Sequence, residues 1–139
     1  VELAGTPVIV VDFGTAITVD AVSRHGVFLG GAIAPGPGLS ARALARGTAR
    51  LPVSLLAAPR SAIGGSTKEG LSSGIVMGLA ALADGLVTRM RKEMGGKPVP
   101  VLATGGAAKL IAPFSKTLRR VVPGLVLNGI RAVQARDSR

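Results

Sequence analysis

The stretch Val8 to Val22, Val-Ile-Val-Val-Asp-Phe-Gly-Thr-Ala-Ile-Thr-Val-Asp-Ala-Val, leaves this chain few folding options. Two runs rich in β-branched residues flank Asp12-Phe13-Gly14-Thr15, which predicts a β-hairpin with an acid, a glycine and a hydroxyl at its tip. Gly14 has no Cβ to hold a ligand away from the backbone, so N–H groups there suit a phosphate. Thr15 adds a hydroxyl donor, and Asp12, ending an apolar strand, can hold a metal ion or its water beside phosphates. The competing reading is a plain turn whose Asp and Thr only satisfy neighbouring N–H groups.

The remaining chain reads as α/β. Arg24-His25-Gly26 turns into a third strand, Val27 to Ala34, making an antiparallel meander in which Gly30-Gly31 predicts a bulge or a close backbone approach. His25, the only histidine, reads as an exposed turn residue. Pro35 to Gly38 ends the strand, a surface helix is expected over Leu39 to Arg50, and a short edge strand over Val53 to Ala58. Ser66 and Glu69 have capping-box spacing at the head of the longest helix, whose apolar stripe is Leu71, Ile75, Leu79, Leu82, Leu86 and Met90. Arg89, Arg91 and Lys92 complement its C-terminal dipole before Gly95-Gly96. Gly70, Gly74 and Gly78, four apart, predict a packing groove on one face.

A second strand-to-glycine junction runs from Val99 to Thr104-Gly105-Gly106 and into a helix from Ala107 to about Ala112. Backbone N–H groups and a helix N-terminus at a strand end suit a nucleotide, although a bare Thr-Gly-Gly also serves as an ordinary tight turn. Ser115 to Val122 reads as a basic connector, Leu125 to about Gln134 as a last helix, and Ala135 to Arg139 as a fraying end.

Composition narrows the function. With 139 residues, 47% of them hydrophobic, the chain can build one domain with a real core. It has no cysteine, so thiolate metal sites and disulfides are out. The net charge of +10 invites a nucleic-acid partner, but the arginines are scattered, and no Trp or Tyr and only 3 Phe are present to stack on bases. Gly74 to Val87, the most apolar segment, is shorter than a membrane span and is interrupted by Asp84, so a cytoplasmic protein with no membrane partner is expected. A protein-kinase reading of Asp-Phe-Gly fails for want of a His-Arg-Asp loop. The chain opens on Val1 and runs almost at once into a core-type strand, so something is expected to precede it in the native molecule.

In order along the chain, Val-Asp-Phe-Gly-Thr-Ala-Ile-Thr-Val-Asp, Leu-Gly-Gly-Ala-Ile-Ala-Pro-Gly, Ala-Arg-Leu-Pro, Ile-Gly-Gly-Ser-Thr and Ala-Thr-Gly-Gly-Ala-Ala-Lys-Leu-Ile resemble the C-terminal half of type III pantothenate kinases. That resemblance implies residues 1–139 form a single actin-like, ribonuclease-H-like lobe, a mixed sheet with an antiparallel meander flanked by helices. In the family two such lobes close over ATP and pantothenate, with a monovalent cation (potassium or ammonium) and Mg2+, to make 4'-phosphopantothenate for coenzyme A synthesis. By matching position, Asp12 looks like the cation ligand and Gly14 and Thr15 like ATP contacts. Thr67 looks like a pantothenate contact, and Thr104, Gly105 and Gly106 like the adenosine turn.

The family's phosphate-binding Asp-x-Gly-Asn-Thr turn and its Gly-Ala-Asp-Arg segment, whose Asp is the general base, do not occur in this chain. Asp20, Glu69 and Asp84 have no motif support as substitutes. In-line phosphoryl transfer depends on positioning and charge stabilisation at the γ-phosphate, so the chain alone is expected to be inactive as a kinase. The expectation is a subunit whose second lobe is on a separate polypeptide, or a fragment of one longer kinase, in a dimer or hetero-oligomer meeting at the Gly70, Gly74, Gly78 groove or the Pro35 to Gly38 turn. The other class is a non-catalytic lobe acting as a regulatory or nucleic-acid-associated factor.

Overall fold

The structure, a computed structural model, describes residues 5–48 and 56–137. β1 (Val8–Phe13) and β2 (Ala16–Val22) form the expected hairpin, with Asp12 opposite Thr18 and Phe13 opposite Ile17. The first strand continues through Phe13, so the turn is Gly14-Thr15 rather than four residues. β3 (Phe28–Pro35) pairs antiparallel with β2, and the register slips at Ala21/Val22, which bulges Leu29 out of the ladder. At Gly31 a Cβ would strike the Val19 carbonyl and the Asp20 side chain, so the close approach expected of that glycine is real.

After β3 come α1 (Pro37–Gly47), α2 (Thr67–Glu93) and β4 (Val101–Thr104), which lies parallel to β1 on the side away from β2. α3 (Ala108–Ile111) and a 3-10 turn (Ala112–Phe114) lead to β5 (Arg120–Val121), parallel to β4, and α4 (Leu125–Asp137) ends the described chain. The sheet order is β3-β2-β1-β4-β5, a mixed α/β sheet with β1 at its centre. β5 falls within the stretch read as a connector; two residues held by backbone pairing leave no periodicity to detect. α1 starts at Pro37, whose fixed φ suits a first helical residue, and stops at Gly47. Of the expected edge strand, Val53 to Ala58, residues 53–55 lie outside the described residues and 56–58 carry no strand.

One face of the sheet is the core. Ile9, Val11, Phe13, Ile17 and Val19, each 0–1% exposed, meet Ile75, Val76, Leu79, Ala80, Ala83 and Val87 of α2. Burying each such large side chain favours folding by roughly 1.5–3 kcal/mol. The buried face includes Val76, Ala80, Ala83 and Val87, while Leu82, Leu86 and Met90 of the expected stripe stand at its flanks, because small alanines let the helix lie close on the strands. α2 is 27 residues long, well beyond the Gly74 to Val87 segment, and by length and composition alone it is long and apolar enough to cross a membrane; 44% of that window is buried against this core. Its second turn is π-helical, Ser73–Met77. The wider turn moves Gly78 out of the row with Gly70 and Gly74.

Asp84, half-buried on α2, fixes the chain after the 3-10 turn. Its Oδ1 accepts from the Ser115 hydroxyl (2.6 Å), the Thr117 hydroxyl (2.6 Å) and the Thr117 N–H (2.9 Å), and its Oδ2 from the Lys116 N–H (2.8 Å). Burial by itself pushes this carboxyl up, but those hydrogen bonds outweigh it and hold the group below its ordinary value of 3.8. A depressed folded-state pKa means the stabilisation is complete above the ordinary carboxylate range and is lost as pH falls through it. Asp84→Ala is expected to lower stability by about 2–4 kcal/mol in urea unfolding, since four groups lose a charged acceptor. Asp84→Asn should flatten the fall in stability below about pH 4, measured as urea midpoint against pH.

Candidate functional site

The parallel pairing of β1 and β4 sets Asp12 directly beside Thr104, at the carboxyl ends of both strands. Gly105 follows with φ +93°, a conformation that favours glycine, and lies so close that a Cβ would collide with Asp12 Oδ1 and the Phe13 backbone. The Ala107 N–H then donates to the Phe13 carbonyl at 3.1 Å, tying the second glycine turn to the hairpin tip. The structure thus brings Asp12, Gly14, Thr15, Thr104, Gly105 and Gly106 together at one end of the sheet.

Several polar side chains there have no partner among the described residues. The Thr104 hydroxyl is 2% exposed and, among the described residues, neither it nor the Thr15 hydroxyl makes a hydrogen bond. A buried hydroxyl left unpaired is uncommon and points to a missing ligand or water. The Asp12 carboxylate likewise accepts no hydrogen bond, whereas Asp20, on the same face of the sheet, accepts from the Thr18 hydroxyl at 2.8 Å. Burial first, and the Asp20 charge second, push the Asp12 carboxyl above its ordinary value. A cation beside Asp12 would relieve both effects. No group of three or more His, Cys, Asp or Glu stands together among the described residues, so a site here is one carboxylate completed by carbonyls and water, as fits a weakly charged cation.

Two expectations change in detail. The Gly14 N–H donates to the Ala16 carbonyl (3.1 Å) and is not free for a phosphate, because the tight hairpin consumes it. α3 has only four residues, too short for much dipole, and the Ala107 and Ala108 N–H groups before it already donate to the Phe13 and Gly105 carbonyls. The Pro35 to Gly38 turn is also partly committed inward. Gly36 donates to the Thr15 carbonyl (3.0 Å), and a Cβ on it would strike the Gly14 and Thr15 carbonyls, so this turn braces the tip. That brace went unread in the sequence, where Gly36 looked like an ordinary strand stop.

Thr67 stands apart, at the first turn of α2. The capping box forms: the Ser66 hydroxyl accepts from the Glu69 N–H (3.3 Å), and Glu69 reaches back to the Gly65 N–H (2.7 Å). Thr67 lines an open groove of about 460 Å3 with Leu44, Gly70, Leu71, Gly74 and Ile75. α1 links the two places: its Gly36 end touches the tip and its Leu44 lines the groove, roughly 12 Å further along the helix. The π turn that opens this groove carries no sequence signal beyond Gly74.

A strand-end cluster of hydroxyls, glycine turns and one carboxylate without a hydrogen-bond donor among the described residues leaves room for a small polar ligand. Comparison with known proteins makes this specific. Residues 1–89 match the type III pantothenate kinase family, and the chain belongs to that family. It is 48% identical over 137 residues to the type III pantothenate kinase of Moorella thermoacetica, 49% over 139 residues to that of Streptomyces griseus and 47% over 139 residues to that of Thermomicrobium roseum. The alignments cover 99%, 99% and 100% of this chain but 54%, 52% and 53% of those proteins, so the chain spans about half the length of the curated relatives it matches. The fold is also that of a solved Campylobacter jejuni protein described as belonging to the Baf family of transcriptional activators, with TM-score 0.68, 22% identity and coverage of 95% of this chain and 59% of that one.

The two glycines after Thr104 separate cleanly in their demands. Gly105→Ala should cost about 3 kcal/mol in chemical denaturation, from the positive φ and the collision with β1. Gly106→Ala, with nothing within 4 Å of its Cβ position, should stay within about 0.5 kcal/mol of the parent.

Proposed function

We propose that this chain supplies one lobe, the C-terminal one, of the active site of a type III pantothenate kinase, with an actin-like fold, and that a lobe carrying Asp-x-Gly-Asn-Thr and Gly-Ala-Asp-Arg completes it. The reading rests chiefly on one observation: Asp12, Thr15 and Thr104 stand at one end of the sheet, and among the described residues their side-chain oxygens make no hydrogen bond. In this reading Thr15 contacts ATP, and Thr104, Gly105 and Gly106 form the floor under its adenosine. Gly14 contributes close approach without a Cβ rather than a free N–H. Asp12 holds a potassium or ammonium ion, which supplies positive charge near the phosphates, and Mg2+ arrives with ATP. Thr67 contacts pantothenate in the groove between α1 and α2.

The pantothenate hydroxyl oxygen attacks the γ-phosphorus in line, the bond to ADP breaks, and the hydroxyl proton passes to the Asp of the other lobe. This chain's part is to hold and orient, so alone it has no useful kinase activity. The other lobe belongs either to the same polypeptide or to a separate one, in a cytoplasmic dimer or hetero-oligomer. A regulatory, nucleic-acid-associated role has the net charge of +10 in its favour. Salt-dependent DNA binding without ATP binding would replace the kinase reading with it.

The test reads the cation and the reaction separately. With its folded-state pKa raised, ionised Asp12 costs stability at neutral pH, and the cost is relieved as pH falls through that pKa or when a cation binds. Potassium is therefore expected to raise the melting temperature of this chain, and Asp12→Asn to abolish that rise while making the ion-free chain more stable. In the two-lobe protein, Asp12→Ala should cut potassium-dependent pantothenate phosphorylation on the order of 100-fold. Thr67→Ala should raise the pantothenate KM more than it lowers kcat. Full activity of Asp12→Ala would sink the proposed site.

A further inference from the structure

Two adjacent serines near the start of α2 are both buried, and only one of them has a partner. Ser73, 6% exposed, donates to the Ala62 carbonyl at 2.7 Å and so pins the loop of residues 56–66 to the helix. Ser72, 5% exposed, makes no hydrogen bond among the described residues. Thr88, further along the same helix, satisfies its hydroxyl on the Asp84 carbonyl one turn back, a bond Ser72 does not make. A hydroxyl buried without a partner points to a ligand or a water. Ser72 lines a cavity of about 520 Å3 between that loop and the first turns of α2.

The walls of this cavity are tied together by the chain itself. Gly64 sits so close to α2 that a Cβ would strike the Glu69 and Gly70 backbone. The Gly65 N–H donates to Glu69 Oε2 at 2.7 Å, and the Ile63 N–H to the Ser61 hydroxyl at 3.2 Å. The charge on the lining is chiefly positive. Arg60 and Lys68 lie on it, and neither has an ion pair or hydrogen bond among the described residues. Glu69, the one acid of the lining among the described residues, is engaged by Gly65. The Ser61 and Ser66 hydroxyls also lie on it, and each accepts from an N–H while keeping its own proton for an outside acceptor. Ser66 caps α2, whose first two N–H groups, those of Thr67 and Lys68, have no acceptor within the helix.

We propose that this cavity is a second binding site, one that takes the phosphate group of a phosphate monoester. It shares no lining residue with the Thr67 groove or with the Asp12–Thr104 end of the sheet. Two cations and three hydroxyl donors line it at a helix N-terminus, against one carboxylate already engaged. A carboxylate ligand offers two oxygens in one plane and a single charge, whereas a phosphate monoester offers three terminal oxygens and about two charges, which this donor set matches. The cavity is larger than a phosphate ion, and Ala57, Ala58 and Ile63 give it an apolar wall for the organic part of the ester. The site stands on this loop and helix alone, whichever reaction the chain serves.

The experiment follows the backbone amides of the full chain by NMR at about pH 8, where phosphate monoesters are dianions, while inorganic phosphate, butyl phosphate or acetate is added at constant ionic strength. Saturable shifts are expected at Arg60, Ser61, Lys68 and Ser72 with both phosphates, and butyl phosphate should bind about tenfold more tightly because its alkyl chain covers the apolar wall. Ser72→Ala and Arg60→Gln should each weaken binding about tenfold or more, as expected for a lost hydrogen bond to a charged group. Ser72→Ala removes a hydroxyl that holds nothing in the chain, so the variant keeps its fold, checked by unchanged β-sheet amides. Equal affinity for the two phosphates supports the phosphate site and makes the free ion its ligand. Acetate binding as tightly as phosphate, shifts that do not saturate, or an affinity unchanged in Ser72→Ala overturns the proposal. So do shifts confined to Thr15, Thr104 and Gly106, which would put the phosphate at the end of the sheet. None of these readouts involves catalysis, so a chain that binds butyl phosphate here but never serves pantothenate phosphorylation refutes the kinase reading and leaves this site standing.

Discussion

The approach of Gly105 to the backbone of Asp12 and Phe13 governs this domain's chemistry. No side chain fits between the two turns, so β4 and β1 close at their carboxyl ends until two strands 90 residues apart in sequence present one surface. The left-handed φ at Gly105 turns the chain back over the hairpin tip, and the Ala107 N–H locks it to Phe13. Gly36 does the same from the other side, packing against the carbonyls of Gly14 and Thr15. Two glycines thus fix the position of the tip from both sides.

Electrostatics separates the two acids that matter. Asp84 and Asp12 are each partly buried, yet their carboxyl pKa values move in opposite directions. Asp84 collects four hydrogen bonds and serves as an anchor for the Ser115 to Thr117 chain; Asp12 collects none and faces another carboxylate. A carboxylate whose charge is unsupported by its own chain is a cost in the folded state that an external cation can offset. The Thr104 hydroxyl, too, finds no hydrogen-bond partner among the described residues, and the apolar face of α4 is left exposed.

The hairpin, the third strand with its irregular glycines, the capped long helix and the Thr-Gly-Gly junction were legible because each leaves a local mark. β-branched runs, Gly30-Gly31, the Ser66 and Glu69 pair, and an apolar strand ending in Thr104-Gly105 all act over a few residues. β5 was not legible, since two residues pair with β4 through backbone alone. Neither was the π turn at Ser73–Met77, where Ser73 reaches back to the Ala62 carbonyl at 2.7 Å. Arg91 looked like a partner for the helix dipole, and it instead donates to the Val99 carbonyl at 3.1 and 2.6 Å from Nε and Nη2, holding the entry to β4.

By itself the sequence determined the family and the order of the hairpin, the third strand, the long helix and the Thr-Gly-Gly junction, because hydrophobic period, turn chemistry and motif order are written locally along the chain. Tertiary structure alone decided that Asp12 stands beside Thr104 and that Gly14 has no N–H to spare. It alone decided that Thr67 opens onto a separate groove and that α4 keeps an apolar face uncovered. Those facts depend on strand register, on which glycine meets which backbone, and on the end of the sheet from which a helix departs. Each is a relation between distant segments, fixed only when all of them pack at once.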